Sequence, residues 1–331
     1  MSGSATVAAS PPGAATRPSV AVRARQAWAD RACHGLLAAL AALVFAVAVL
    51  ILYETTRGAG PAISALGWGF LTSTSWDPVA ERFGALPYLY GTIVSATLAL
   101  SLALPLGIGT AVFLVELAPR RIGEAVAFLV ELLAAIPSIV YGIWGVFVLA
   151  PWLRSALEPW LIAHLGFLPL FQGFPFGIGM LNAGIVLAVM VSPTIISLSR
   201  EILLSLPGSL REAAFAMGAT RAEAIAVMLD GARPGLLGAA ILGLGRALGE
   251  TMAVTMVIGN TNRISPSLLA PGATMASVIA NEFTEATGKL YLSALTEIAL
   301  VLFALTIVVN ALARLLVRMT MGARRDIAGA A

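Results

Sequence analysis

Six long apolar runs dominate this chain and leave few folds open to it. They cover residues 35–53, 88–115, 125–150, 176–198, 235–259 and 292–317. About 20 apolar residues wound as a helix cross the ~30 Å hydrocarbon core of a bilayer. The expected fold is therefore all-α, a polytopic membrane protein with six transmembrane helices. Composition agrees, since hydrophobic residues fill 59% of 331 positions and charged ones 11%, where soluble domains carry roughly 25% charged residues. Pro105, Pro137 and Pro193 fall inside runs two, three and four. There packing neighbours, or hydroxyls such as those of Ser138 and Thr194, can satisfy the carbonyls that proline leaves free.

Lys and Arg are retained on the cytoplasmic side, so their distribution predicts orientation. With the N-terminus inside, the inner segments hold Arg17, Arg23, Arg25 and Arg31, then Arg120 and Arg121, then Arg200, Arg211, Arg221 and Arg233, and finally Arg314, Arg318, Arg324 and Arg325. The outer segments hold only Arg57, Arg82, Arg154, Arg263 and Lys289. Both termini are expected in the cytoplasm, and the net charge of +3 reflects topology and not a nucleic-acid surface. The chain divides into a disordered N-terminal tail at 1–33, a membrane domain at 34–320 with a cytoplasmic loop at 200–234, and a C-terminal tail at 321–331. The outer segments 54–87, 151–175 and 260–291 are too short for a second domain. Trp68, Trp76, Trp152 and Trp160 lie on them near span ends, where interfacial anchoring is expected.

Several chemistries are missing. A Walker loop needs a lysine to reach terminal phosphates, and the single lysine, Lys289, stands in the outer segment sequence Thr287-Gly288-Lys289-Leu290. His34 and His164 are placed on opposite membrane faces, which argues against a two-histidine metal site. Cys33 is the only cysteine, so no intramolecular disulfide forms. No metal and no cofactor are expected.

Charges inside the membrane are costly, at about 2.5–3.5 kcal/mol each on insertion scales, so they usually pair and mark substrate routes. Arg246 and Glu250 lie four apart in run five, in Leu244-Gly-Arg-Ala-Leu-Gly-Glu-Thr251, and on a continuous helix they would share a face. Two readings stand: an anion pathway or gate, for which a planar guanidinium fork is suited, or an intrahelical salt bridge that fixes packing. Glu131 in run three and Glu297 in run six are further candidate partners for Arg246.

The polar segment 210–225 between runs four and five reads as helix, bend, helix. Ser209-x-x-Glu212 and Thr220-x-x-Glu223 both have capping-box spacing. Gly218 stands where the first helix must stop and a left-handed residue is favoured. Two short helices are expected.

This loop, with Glu212-Ala213-Ala214 and Gly218, resembles the EAA loop of binding-protein-dependent ABC importer permeases. Glu131-Leu-Leu-Ala-Ala-Ile-Pro-Ser-Ile-Val-Tyr-Gly142, Gly243-Leu-Gly-Arg-Ala-Leu-Gly-Glu-Thr-Met-Ala253, Ile258-Gly-Asn-Thr261 and Ile279-Ala-Asn-Glu-Phe283 are similar to the PstC-type permease family of bacterial phosphate importers. Trp76-Asp77, Phe83-Gly-Ala-Leu-Pro87 and Tyr90-Gly-Thr92 agree as well. The resemblance implies a type I importer fold and a non-catalytic permease subunit that passes inorganic phosphate by alternating access. It implies a PstA-like permease partner, a PstB-like ATPase dimer and a PstS-like phosphate-binding protein. Arg246, Glu250, Glu131 and Thr251 would then lie on the substrate path or gate, and Glu212, Ala213, Ala214, Gly218, Thr220 and Glu223 would dock the ATPase. The family closes this loop with Leu-Pro, whereas here Leu229 precedes Asp230, so the second coupling helix is expected to end differently.

A permease for another oxyanion is one alternative. Another is a secondary transporter acting alone, which would call for inverted repeats with interrupted helices, and no convincing repeat is visible. An intramembrane enzyme lacks support from any histidine cluster or nucleophile elbow.

Overall fold

A computed structural model describes residues 20–328. The described residues carry helices and two isolated β-bridges, with no strand. Six helices are long and apolar enough to cross a membrane. The chain divides into two compact units, residues 1–54 and 55–331. Helix α1, Val20–Leu66, begins in the first unit and ends in the second. The expected tail at 1–33 is thus helical from Val20, and its first 19 residues lie outside the described residues.

Within the second unit the spans are α2 (Leu86–Leu117), α4 (Ser138–Leu165), α5 (Met180–Ser205), α7 (Arg221–Gly249) and the membrane part of α10 (Lys289–Ala328). Between them lie α3 (Arg120–Ala134), α6 (Gly208–Ala216), α8 (Met252–Val257) and α9 (Met275–Glu282). The C-terminal tail expected at 321–331 continues α10 to Ala328, and 329–331 lie outside the described residues.

Helix α5 is the centre of the core, with Val186, Leu187, Val191 and Ile195 fully buried. Its main neighbour is the alanine face of α2, formed by Ala96, Ala99 and Ala103. Lipid tails are as apolar as these side chains, so association depends on close packing, and small residues permit it. Gly184 is one such point, since a Cβ there would come within 2.4 Å of Leu98.

Prolines shape these helices in two ways. Pro61 inside α1 has no N–H, and the hydroxyl of Ser293 from α10 enters the opened turn. Its Oγ accepts from Ala62 N at 2.9 Å and donates to Gly58 O at 2.8 Å. Three π-helical segments, Phe113–Leu117, Gly145–Leu149 and Leu153–Leu157, each end two residues before a proline, namely Pro119, Pro151 and Pro159. A proline ring crowds the carbonyl four residues earlier and offers no hydrogen bond to it. The preceding turn widens to i→i+5 bonding instead, as in Ala118 N to Phe113 O at 2.8 Å.

Two expected spans are corrected. Run three is not one helix over 125–150, because α3 stops at Ala134 and α4 starts at Ser138. Pro137 takes ψ 139° as the N-cap of α4, and the residue before a proline is disfavoured in the α region. Run five is not one helix over 235–259, because α7 ends at Gly249 and Glu250 is extended at ψ 127°. Trp76 is a third correction, since it is a core residue and not an interfacial anchor. Its ring meets Phe83 and Tyr88 edge-on, both with centroids 5.0 Å away. Its Nε1 donates to Glu282 Oε2 at 2.7 Å, an oxygen that also accepts from Tyr291 at 2.6 Å.

Candidate functional site

Two helix breaks lie beside the intramembrane polar residues, the first between α3 and α4 and the second between α7 and α8. At the first, the Tyr141 hydroxyl donates to Leu133 O at 2.7 Å and ties the start of α4 to the end of α3. At the second, Thr251 Oγ1 donates to Gly249 O at 3.3 Å, and Ala253 N donates to Glu250 Oε1 at 3.3 Å. The carbonyl and N–H that the break frees are therefore satisfied locally, as a low-dielectric setting demands. Helices α4 and α8 meet between the breaks, where a Cβ on Gly142 would fall 2.8 Å from Met256 Sδ and 3.1 Å from Ala253 Cα.

Arg246 lies in the last turn of α7, where a cation is favoured by the helix dipole. It is exposed. Its Nη1 is 3.5 Å from Thr194 Oγ1 on α5. Glu250 does not share a helix face with it, because the helix ends between them. Among the described residues Arg246 forms no ion pair, so of the two readings the intrahelical Arg246–Glu250 salt bridge is not formed, and Glu250 accepts from Ala253 N of α8 instead. Glu131 is exposed on α3 and lines a recess with Ser197, Arg200 and Glu201. Glu297 is buried in α10, with Oε2 unpartnered among the described residues. Neither bonds Arg246. Thr194 was not read from sequence as a site residue, since it is ordinary alone and only the fold sets it beside Arg246.

The loop between α5 and α7 has the other expected arrangement, with differences at both ends. Gly218 has φ +84°. The N–H of Gly218 donates to Phe215 O at 2.9 Å and that of Ala219 to Ala214 O at 3.1 Å, the paired bonds of a Schellman C-cap. Thr220 N donates to Glu223 Oε2 at 2.7 Å, and Glu223 N donates to Thr220 Oγ1 at 3.4 Å, closing a capping box. The Ser209–Glu212 box does not form. Pro207, with φ −59°, takes the N-cap and places Ser209 inside the first turn of α6. The second helix is not short either. It runs on as α7 through Asp230 and Pro234, with Asp230 paired to Arg233 at 3.1 Å. Glu212 and Ala213 are exposed on α6, while Ala214 is half-buried.

One contact here was not anticipated. Arg211 of α6 reaches Glu116, in the π-helical end of α2, at 3.2 Å.

Residues 103–321 match the family described as binding-protein-dependent transport system inner membrane component. The chain belongs to that family. Among curated members, it is 46% identical over 295 residues to the phosphate transport system permease protein PstC of Mesorhizobium japonicum, covering 88% of this chain and 90% of that one. It is 48% identical over 297 residues to the PstC protein of Xylella fastidiosa strain 9a5c, covering 88% and 91%. The PstC protein of Haemophilus influenzae is 44% identical over 297 residues, covering 88% and 94%. The fold is similar to that of a chain in an inward-facing MetNI methionine ABC transporter, with TM-score 0.50 and 22% identity over 71% of this chain and 94% of that one. The family fold and the six apolar helices make this a multi-pass membrane protein.

Proposed function

We infer that this chain is the PstC-type permease subunit of an ATP-driven phosphate importer. Arg246 carries the anion chemistry of this reading: a permanently charged fork, at a helix break inside the membrane, with Thr194 beside it and, among the described residues, no carboxylate bound to it. A carboxylate-bound arginine would have to exchange partners to take an oxyanion. This one does not.

Import of an anion into an inside-negative cell costs about 2.3 kcal/mol per charge per 100 mV, and the sequence holds no Walker loop. Hydrolysis then falls to a separate ATPase dimer, which docks on the α6–Gly218–α7 loop. A second permease completes the pore, a secreted binding protein delivers phosphate from outside, and the basic residues orient the loop and both termini inward. The membrane domain at 34–320, with its coupling loop at 200–234, is the functional unit of the chain.

Arg246→Gln keeps length and polarity but removes the charge and the bidentate fork. Because Glu250 is not its partner, the substitution strands no buried carboxylate. The reading expects a complex that assembles and hydrolyses ATP when the loaded binding protein is added, yet has phosphate uptake into proteoliposomes at least about tenfold lower, the scale of one lost charged hydrogen bond. Uptake at the parent rate by an assembled complex removes Arg246 from the pathway.

A further inference from the structure

The Glu116–Arg211 contact is the ion pair that joins the loop to α2, while α6 also packs on the start of α7, where Leu210 lies beside Gly231. No residue of α6 is buried. Its tie to α2 is an ion pair in which the Arg211 side chain is 46% exposed and that of Glu116 only 8%. A carboxylate so far removed from water is costly unless it is paired, and Arg211 is its ion-pair partner. The guanidinium is also held from its own helix, lying 5.8 Å over the centroid of Phe215 one turn on. On the membrane side Glu116 belongs to the π-helical turn Phe113–Leu117 before Pro119. A π turn inserts a residue and re-aims the side chains that follow, so the proline sets where Glu116 points. Val115, the residue before Glu116, packs against one apolar cluster formed by Ala111 of α2, Leu203 of α5 and Ala232 and Leu236 of α7, so the receiving end of the contact sits on a packed segment.

We propose that Glu116 and Arg211 are a positioning pair, a strut that carries movement of the coupling helix α6 into span α2. The proposal rests on the reading of α6 as the ATPase-docking helix. Hydrophobic packing would let the exposed α6 slide, whereas a buried carboxylate permits one partner at one place. Breaking the strut would leave docking and hydrolysis in place and disconnect them from transport.

The test uses the complete complex of both permeases, ATPase and binding protein in proteoliposomes, with Cys33 replaced and a photo-crosslinker on a cysteine at Ala216 to report docking. Glu116→Gln is expected to crosslink to the ATPase and to hydrolyse ATP in response to the binding protein, while phosphate imported per ATP falls about fivefold or more, the low end of measured coupling energies. Glu116→Arg with Arg211→Glu should recover most of that ratio, because it restores the ion pair with its charges exchanged. A further variant, Glu116→Cys with Arg211→Cys and no crosslinker at Ala216, is its own control. Joined by a short bifunctional thiol reagent it should import more phosphate per ATP than before joining. An unchanged ratio in Glu116→Gln, or no gain on joining the two cysteines, overturns the strut. Absence of the Ala216 crosslink in the parent complex overturns the docking reading itself, and the strut with it.

Discussion

The chain interrupts its helices at Gly218 and at Glu250, and the two interruptions have opposite physical origins. At Gly218 the signals are local: a left-handed glycine at φ +84° and a reciprocal cap between Thr220 and Glu223. At Glu250 no residue takes positive φ, the neighbouring Gly249 has ordinary backbone angles, and nothing lies within 4 Å of a Cβ built on it. Its freed groups are met by the side chains of Thr251 and Glu250, and α8 is seated on α4 by the close approach at Gly142. A break in a polar loop is written in the residues that make it. The break at Glu250, inside an apolar run, has its freed groups met nearby but is seated by what packs against α8.

Three substitutions sharpen this contrast. The largest effect is expected from Gly142→Leu, which wedges α4 away from α8 and costs about 1–3 kcal/mol as overpacking, since Ala253 Cα is backbone and cannot step aside. Membrane yield of the assembled complex and its thermal aggregation temperature should both fall. Next comes Gly218→Val, with open space around it but a β-branched residue in left-handed conformation, a strain of about 1–3 kcal/mol. Stimulation of the ATPase by loaded binding protein should drop, while limited proteolysis shows the spans intact. If Gly218→Val is silent and Gly142→Leu is not, the loop bend too is set by tertiary contacts. The smallest effect is expected from Gly249→Ala, within about 0.5 kcal/mol as for other substitutions away from special features, because neither strain nor contact holds that glycine. A pronounced loss of assembly in Gly249→Ala would show that the second break is written locally after all.

Proline makes the same distinction at finer scale. Pro137 was expected to sit within a continuous span and instead starts a new helix, while Pro105 and Pro193 are accommodated inside α2 and α5. Pro119, Pro151 and Pro159 each follow a π-helical turn. The three outcomes share one cause, the missing N–H and the crowded carbonyl.

Much of the architecture was legible in the residues alone. Apolar runs predicted six membrane helices because their length and hydropathy have no stable home outside a bilayer. The caps of the α6–α7 loop were legible at Gly218 and Thr220 because a cap is satisfied within a few residues of itself. The Ser209 box failed on an equally local fact, the N-cap position claimed by Pro207. Hydropathy does not register whether an apolar stretch is one helix or two, so the breaks at Pro137 and Glu250 went unread, and with them the separation of Arg246 from Glu250. The pairing of Arg246 with Thr194, the burial of Trp76 around Glu282 and the reach of Arg211 to Glu116 join residues 52, 206 and 95 positions apart. Nothing local specifies such contacts. They exist because close-packed helices leave each buried polar group only those partners that the fold brings within hydrogen-bonding reach.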